Sequence, residues 1–190
     1  MAREKKFTKE ELYHAVKHLL LKHGYEGFTF TILASYLDVS RAAIYKYYEN
    51  KEELLSEYMV YELEKFLHDM KQIGEKETFS EQFDALFDMI FADLSLYEIR
   101  AMGMQIPNIN KKIKMYKQKI SGIIGELFAS LQQFVELGKQ ENLIKKDIPN
   151  NLILGLIFET VSIRNTSGMP LSEWVEMIKG VIRHGMFENN

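Results

Sequence analysis

The chain contains no cysteine, which excludes disulfide staples, thiolate metal sites and cysteine nucleophiles together. It has only three prolines in 190 residues, so long helices can run with few forced breaks. No apolar run reaches the roughly 20 residues a bilayer crossing needs. No basic and apolar leader opens the chain, so a cytoplasmic protein without a membrane partner is expected. Glycine-rich phosphate loops and nucleophile elbows are missing too. The histidines (His14, His18, His23, His68 and His184) are scattered. His14 and His18 have the i, i+4 spacing of ligands on one helix face, but no third ligand lies near them, and a solvated helix surface accounts for both. No catalytic residue, metal or cofactor is therefore expected, and the chain does not read as an enzyme.

What is present is apolar bulk and uneven charge. With 46% apolar residues the chain can bury one substantial core or two small ones. Its net charge of −3 is divided unequally. Residues 1–52 hold nine Lys/Arg (Arg3, Lys5, Lys6, Lys9, Lys17, Lys22, Arg41, Lys46, Lys51) against seven acids, a balance of +2, and the remainder stands at −5. A mildly basic head on an acidic body lets one end approach a polyanion.

Helix signals dominate, and the spacing predicts an all-α chain of about nine helices. Thr8-Lys9-Glu10-Glu11 forms a capping box ahead of Leu12, Ala15, Val16, Leu19 and Leu20 at helical spacing, with Gly24 closing the helix. Two short helices follow, from Thr29 or Thr31 to Leu37 and from Ser40 to about Tyr48. Asn50-Lys51-Glu52-Glu53 starts a long helix reaching about Met70, and Thr78-Phe79-Ser80-Glu81 opens another along Phe83, Phe87 and Phe91. A short segment near Tyr97–Met104 ends at Pro107, and an amphipathic helix runs from about Ile109 to Gly138. Pro149 suits the first turn of a helix reaching about Asn165, and the last helix is capped at Ser172-Glu173. Residues 152–163 are apolar almost all round, so that helix must be covered on every side. A second copy of the same surface can supply the cover, which makes a two-fold homodimer through this helix and the last one the expectation. A central place in the monomer would serve as well.

The informative stretch runs from Gly24 to Lys51. Two short helices meet at a turn near Leu37-Asp38-Val39, where Asp38 tolerates left-handed backbone. Leu33, Ala34, Leu37, Val39, Ile44 and Tyr48 can form their shared core. Helical spacing then leaves Arg41, Ala42, Tyr45 and Lys46 on the outer face, with Ser40 as the cap. Arg41 can fork onto guanine or grip a phosphate, and Ala42 and Ala43 are small enough to touch thymine methyls. Tyr45, Lys46, Tyr47 and Lys51 can bind phosphates, joined by Thr29 and Thr31 from the preceding helix. A solvated helix face would have the same composition, and it is the length of the motif that weighs against that reading.

The segment from about Thr8 to Leu55 resembles the DNA-binding domain of the TetR family of bacterial repressors. The likeness lies in Thr29 followed by Leu33-Ala34, then Val39-Ser40, then Tyr45-x-Tyr47-Tyr48-x-Asn50-Lys51-Glu52-x-Leu54. Two residues depart from the family pattern: Asp38 stands where glycine is usual and Tyr48 where phenylalanine is usual. The resemblance implies a helix-turn-helix domain over residues 1–52, with Thr29, Arg41, Ala42, Ala43, Tyr45, Lys46, Tyr47 and Lys51 at DNA-contacting positions. It implies an effector-binding and dimerisation domain over 53–190, and a homodimeric repressor released from a palindromic operator by a small molecule. The effector pocket is expected within about 75–165, with Phe87, Phe91, Arg100, Met104, Tyr116, Phe128, Phe158 and Glu159 as candidate lining for a small apolar or amphipathic compound. An ordinary core explains the aromatic members equally, and Arg100, Glu159 and Arg164 could instead pair across a dimer. A protein of the same fold acting without an effector, as an activator or an architectural or cell-cycle factor, is the alternative.

Overall fold

A computed structural model describes residues 7–186, apart from the side chains of Leu96 and Met186. Among the described residues there are nine α-helices and no strand: α1 (Lys9–Gly27), α2 (Phe30–Leu37), α3 (Arg41–Tyr45), α4 (Lys51–Gly74), α5 (Phe79–Ala92), α6 (Ser95–Gly103), α7 (Lys111–Gln140), α8 (Asn150–Glu159) and α9 (Leu171–Met186). A single 3₁₀ turn, Thr160–Ser162, follows α8.

Local chemistry sets most of the starts. Thr8 caps α1 by accepting the Glu11 amide at 3.1 Å, while the Glu11 carboxylate accepts the Thr8 amide at 2.8 Å. Thr78 and Glu81 repeat the box at α5. Asn50 accepts the Glu53 amide at 2.9 Å and so begins α4. Each such cap satisfies an amide that the first helical turn leaves without a partner. The ends were harder to foresee. Gly24 does leave helical geometry, at φ +67°, but the helix resumes beyond it to Gly27. The third helix stops at Tyr45 rather than Tyr48, and the amides of Tyr47 and Tyr48 then turn back to the Ile44 carbonyl. The apolar stretch 152–163 is also not one helix. It breaks at Glu159, and the Thr160 hydroxyl donates to the Ile157 carbonyl at 2.6 Å.

The packing divides the chain into two compact units, one formed by 1–64 with 95–122, the other by 65–94 with 123–190. Neither unit is continuous in sequence. The reason is that α6 and the start of α7 pack with the head: Ile99, Ile106 and Ile113 lie in one core with Leu12, Val16, Leu33, Ile44 and Tyr58. The second unit is built on a column of phenylalanines. Phe79 lies 4.8 Å from Phe134, Phe83 lies 4.7 Å from Phe87, and Phe91 stacks on Phe87 at 6.1 Å. Gly138 lets α7 approach this column, since a Cβ there would fall 2.8 Å from the Phe79 ring and from Ile144. On α9, Lys179 is buried against α5, with its ammonium 3.1 Å from Asp88 and 3.4 Å from Asp84. Burial alone would lower its pKa, but bonds to Glu176 and Asp88 outweigh that and raise it. No helix of the described residues is long and apolar enough to cross a membrane.

Candidate nucleic-acid interface

The helix-turn-helix is assembled by its own buried anchors. Leu33 and Ile44 are fully buried, Ala34 and Tyr48 nearly so, and Leu37 and Val39 pack against the same core. Asp38 takes the left-handed conformation at φ 55°, which closes the turn between α2 and α3. Thr29 caps α2 through the Ile32 amide at 3.3 Å, and Ser40 caps α3 through the Ala43 amide at 3.2 Å. Both hydroxyls therefore hold helix starts, and any phosphate contact from them must share that role.

With those anchors inward, Arg41, Ala42, Tyr45, Lys46 and Tyr47 are exposed along one short stretch, together with Thr29, Thr31 and Ser40. The Arg41 guanidinium lies 5.8 Å from the Tyr45 ring centre, and that ring stands edge-on to Phe30 at 5.1 Å. Such cation–π contact pre-orients the guanidinium along the face. Tyr47 is 60% exposed and rests on Phe7 at 5.7 Å. Lys51 is half-buried: its ammonium donates to the Tyr25 carbonyl at 2.9 Å and sits 4.4 Å over the Tyr25 ring. The Tyr25 hydroxyl, pushed up to about 12 by burial and by Glu52, donates to the Glu52 carboxylate at 3.3 Å. Ala43 is only 7% exposed, about 100° round the helix from the exposed Ala42.

Beneath this face lies a polar cluster that sequence reasoning missed. Glu53 on α4 is 1% exposed; it accepts from Asn110 Nδ2 at 2.7 Å, Lys112 Nζ at 3.0 Å and the Glu49 amide at 3.3 Å. Burial pushes its carboxyl up, yet these donors hold it below the usual range. Glu57 accepts from the Tyr13 hydroxyl at 3.0 Å and the Tyr116 hydroxyl at 3.2 Å, and pairs with Lys9 at 2.6 Å. Tyr48 also favours the ionised form of this carboxylate. Its carboxyl is likewise held low by these donors against burial. Burial and Glu57 drive Tyr13 and Tyr48 upward, and Tyr116 to about 12. Two signals were available: acids at i, i+4 among the apolar positions Leu54, Leu55 and Tyr58, and a tyrosine at 48 where phenylalanine is usual.

The candidate effector residues are not gathered within either unit. Phe87 and Phe91 are buried in the phenylalanine column of the second unit. Phe158 is half-buried, and Phe128 and Glu159 are exposed, in that same unit. Arg100, Met104 and Tyr116 belong to the other unit. There Met104 is 84% exposed, and Tyr116 is committed to Glu57. A cleft of about 500 Å³ does open in the second unit, walled by Met70, Lys71, Gln82, Gln133, Phe134 and Leu137. None of the expected residues lines it. Among the described residues no group of three or more His, Cys, Asp or Glu side chains could hold a metal.

The comparisons agree with this anatomy. A family model described as "Bacterial regulatory proteins, tetR family" matches residues 12–58, and one described as "YsiA-like protein, C-terminal region" matches 60–179. No curated protein matches the sequence. Among solved structures, the Bacillus subtilis regulator FadR in complex with stearoyl-CoA is similar at 22% identity and a TM-score of 0.68, over 94% of this chain and 100% of its own. KstR2 of Mycobacterium tuberculosis, a ketosteroid transcriptional regulator, aligns over 100% of both chains at 12% identity and a TM-score of 0.72. AibR, in complex with isovaleryl coenzyme A and operator DNA, aligns over 94% of this chain and 97% of its own at 16% identity and a TM-score of 0.67.

Proposed function

We propose that this chain, which belongs to the TetR family of bacterial regulatory proteins, is a homodimeric transcriptional repressor that leaves a palindromic operator when a small effector binds. The observation that carries the reading is the outward stretch Arg41, Ala42, Tyr45, Lys46 and Tyr47, exposed on and just past a helix whose opposite face is buried. That arrangement offers one forked donor, one methyl and several phosphate ligands to a major groove. Two copies, with recognition helices about 34–36 Å apart, would meet successive major grooves. Dimerisation is supported by apolar side chains left in water on α8 and α9, namely Leu152, Leu156, Met177 and Val181.

The cleft beside Met70 and Phe134 supports an amphipathic effector, since apolar walls meet the polar rim of Lys71, Gln82 and Gln133. Two similar structures hold acyl-CoA thioesters, so that class is the first to test by thermal shift. An effector acts only if it prefers the DNA-incompetent arrangement, and operator must then weaken effector binding in return.

Sequencing the DNA retained by the purified protein tests the central claim. A single inverted repeat should be enriched, and Lys46→Ala should lower the salt slope of binding by about one phosphate. Arg41→Ala should relax preference at one base pair of each half-site. If no sequence is enriched over input DNA, the reading is wrong.

A further inference from the structure

Glu53 and Glu57 stand four residues apart on α4, hence on one face and one turn apart. A carboxylate in an apolar place is tolerated only when its oxygens are filled with donors. Both take donors from α7, and Glu57 takes two more, Tyr13 and Lys9, from α1. At Glu53, one donor is the amide of Glu49, just past the recognition helix, and two are Asn110 and Lys112 at the start of α7. At Glu57, the Tyr116 hydroxyl donates from the second turn of α7, and Tyr48, just past the recognition helix, helps hold the same carboxylate ionised. Lys112 adds a direct link, with its ammonium 5.7 Å from the centre of the Tyr48 ring. Tyr48 and Glu49 are thus held to residues about sixty positions away through two shared acceptors.

We propose that Glu53 and Glu57 are positioning residues that clasp the start of α7 to the end of the recognition helix, so that the placement of α7 sets the placement of the DNA-reading face. If Tyr116 withdraws, the half-buried Glu57 loses the donor on its second oxygen and reorients, and Tyr48 follows it. If Lys112 withdraws, Glu53 loses its charge partner and the Glu49 amide loses a fixed acceptor. Phenylalanine at 48 would pack as well but could not report the position of α7, which gives the departure from the family pattern a use. Because the clasp rests on the DNA-binding reading, its test carries one readout that needs no DNA.

Tyr116→Phe and Tyr48→Phe each remove one hydroxyl and leave the rings in place. Lys119→Ala, which breaks only the exposed pair with Glu64 further along α7, is the control. The first readout is amide hydrogen exchange over residues 41–49 in the free protein. The second is affinity for the DNA sequence selected by the wild-type protein. Tyr116→Phe should speed exchange over 41–49 and weaken DNA binding, each by about threefold to tenfold, while Lys119→Ala does neither. The double variant should fall short of the product of the single effects, because both hydroxyls serve one carboxylate. Unchanged exchange over 41–49 in Tyr116→Phe, or single effects that multiply independently, would overturn the clasp even if DNA is bound. Faster exchange in a protein that selects no DNA would keep the clasp and remove the repressor reading.

Discussion

The two units of this chain solve the problem of a unique packing in opposite ways. In the unit containing the recognition helix, polar atoms lie inside: the buried Glu53 and half-buried Glu57 gather tyrosines, a lysine, an asparagine and a backbone amide from three separate segments. In the other unit the interior is a column of Phe79, Phe83, Phe87, Phe91 and Phe134. Its one strongly charged cluster opens to water, since the Asp84 and Asp88 that receive Lys179 are 46% and 72% exposed. Buried hydrogen bonds are directional, so they admit few arrangements and are costly when incomplete. Apolar side chains of about the right volume tolerate many arrangements. Directional bonding is thus concentrated beside the proposed DNA-reading face, and adaptable apolar bulk fills the other unit.

This contrast can be broken most strongly at Phe87. Phe87→Ala should cost about 3–5 kcal/mol of unfolding free energy in urea while leaving the DNA-reading face unaltered in the molecules that remain folded. A loss well below this range would show that the column is loosely packed. Next comes Glu57→Ala, which strands buried hydroxyls and should cost about 1–3 kcal/mol, with Glu57→Gln restoring part. Acid titration sharpens the same point. Glu53 and Glu57 have folded pKa values below the ordinary 4.5, so their stabilisation is complete above that value and is lost as pH falls through the folded values. Melting temperatures of wild type and Glu57→Gln should therefore stay apart down to about pH 4.5 and converge as pH falls below it. Ser40→Ala should cost about 1 kcal/mol and weaken DNA binding by loosening the start of α3. The smallest effect is expected at Lys71→Ala, which breaks an exposed pair with Glu126 worth at most about 1 kcal/mol.

Much of the exposed face of the helix-turn-helix could be read from the sequence, because it is local. Ser40 caps, Ile44 buries and Arg41, Ala42 and Tyr45 face out within a few residues of one another, so helical periodicity alone decides their sides. Ala43 was the exception, since it sits at the edge between faces and the neighbouring helices decide which way the edge falls. Which apolar positions stay exposed was not readable in this way. Phe87 and Met104 look alike as apolar positions on helices, yet one is fully buried and the other 84% exposed.

The sequence by itself determined an all-helical chain, its caps at Thr8, Thr29, Ser40 and Thr78, and the turn at Asp38, since each depends on backbone groups within four residues. Only the tertiary structure decided that residues 95–122 join the head and that Asn110, Lys112 and Tyr116 meet Glu53 and Glu57. Those partners lie 57 to 59 positions apart. No periodicity spans such a gap, and the pairing is settled by which buried charges must be satisfied once the apolar faces have closed.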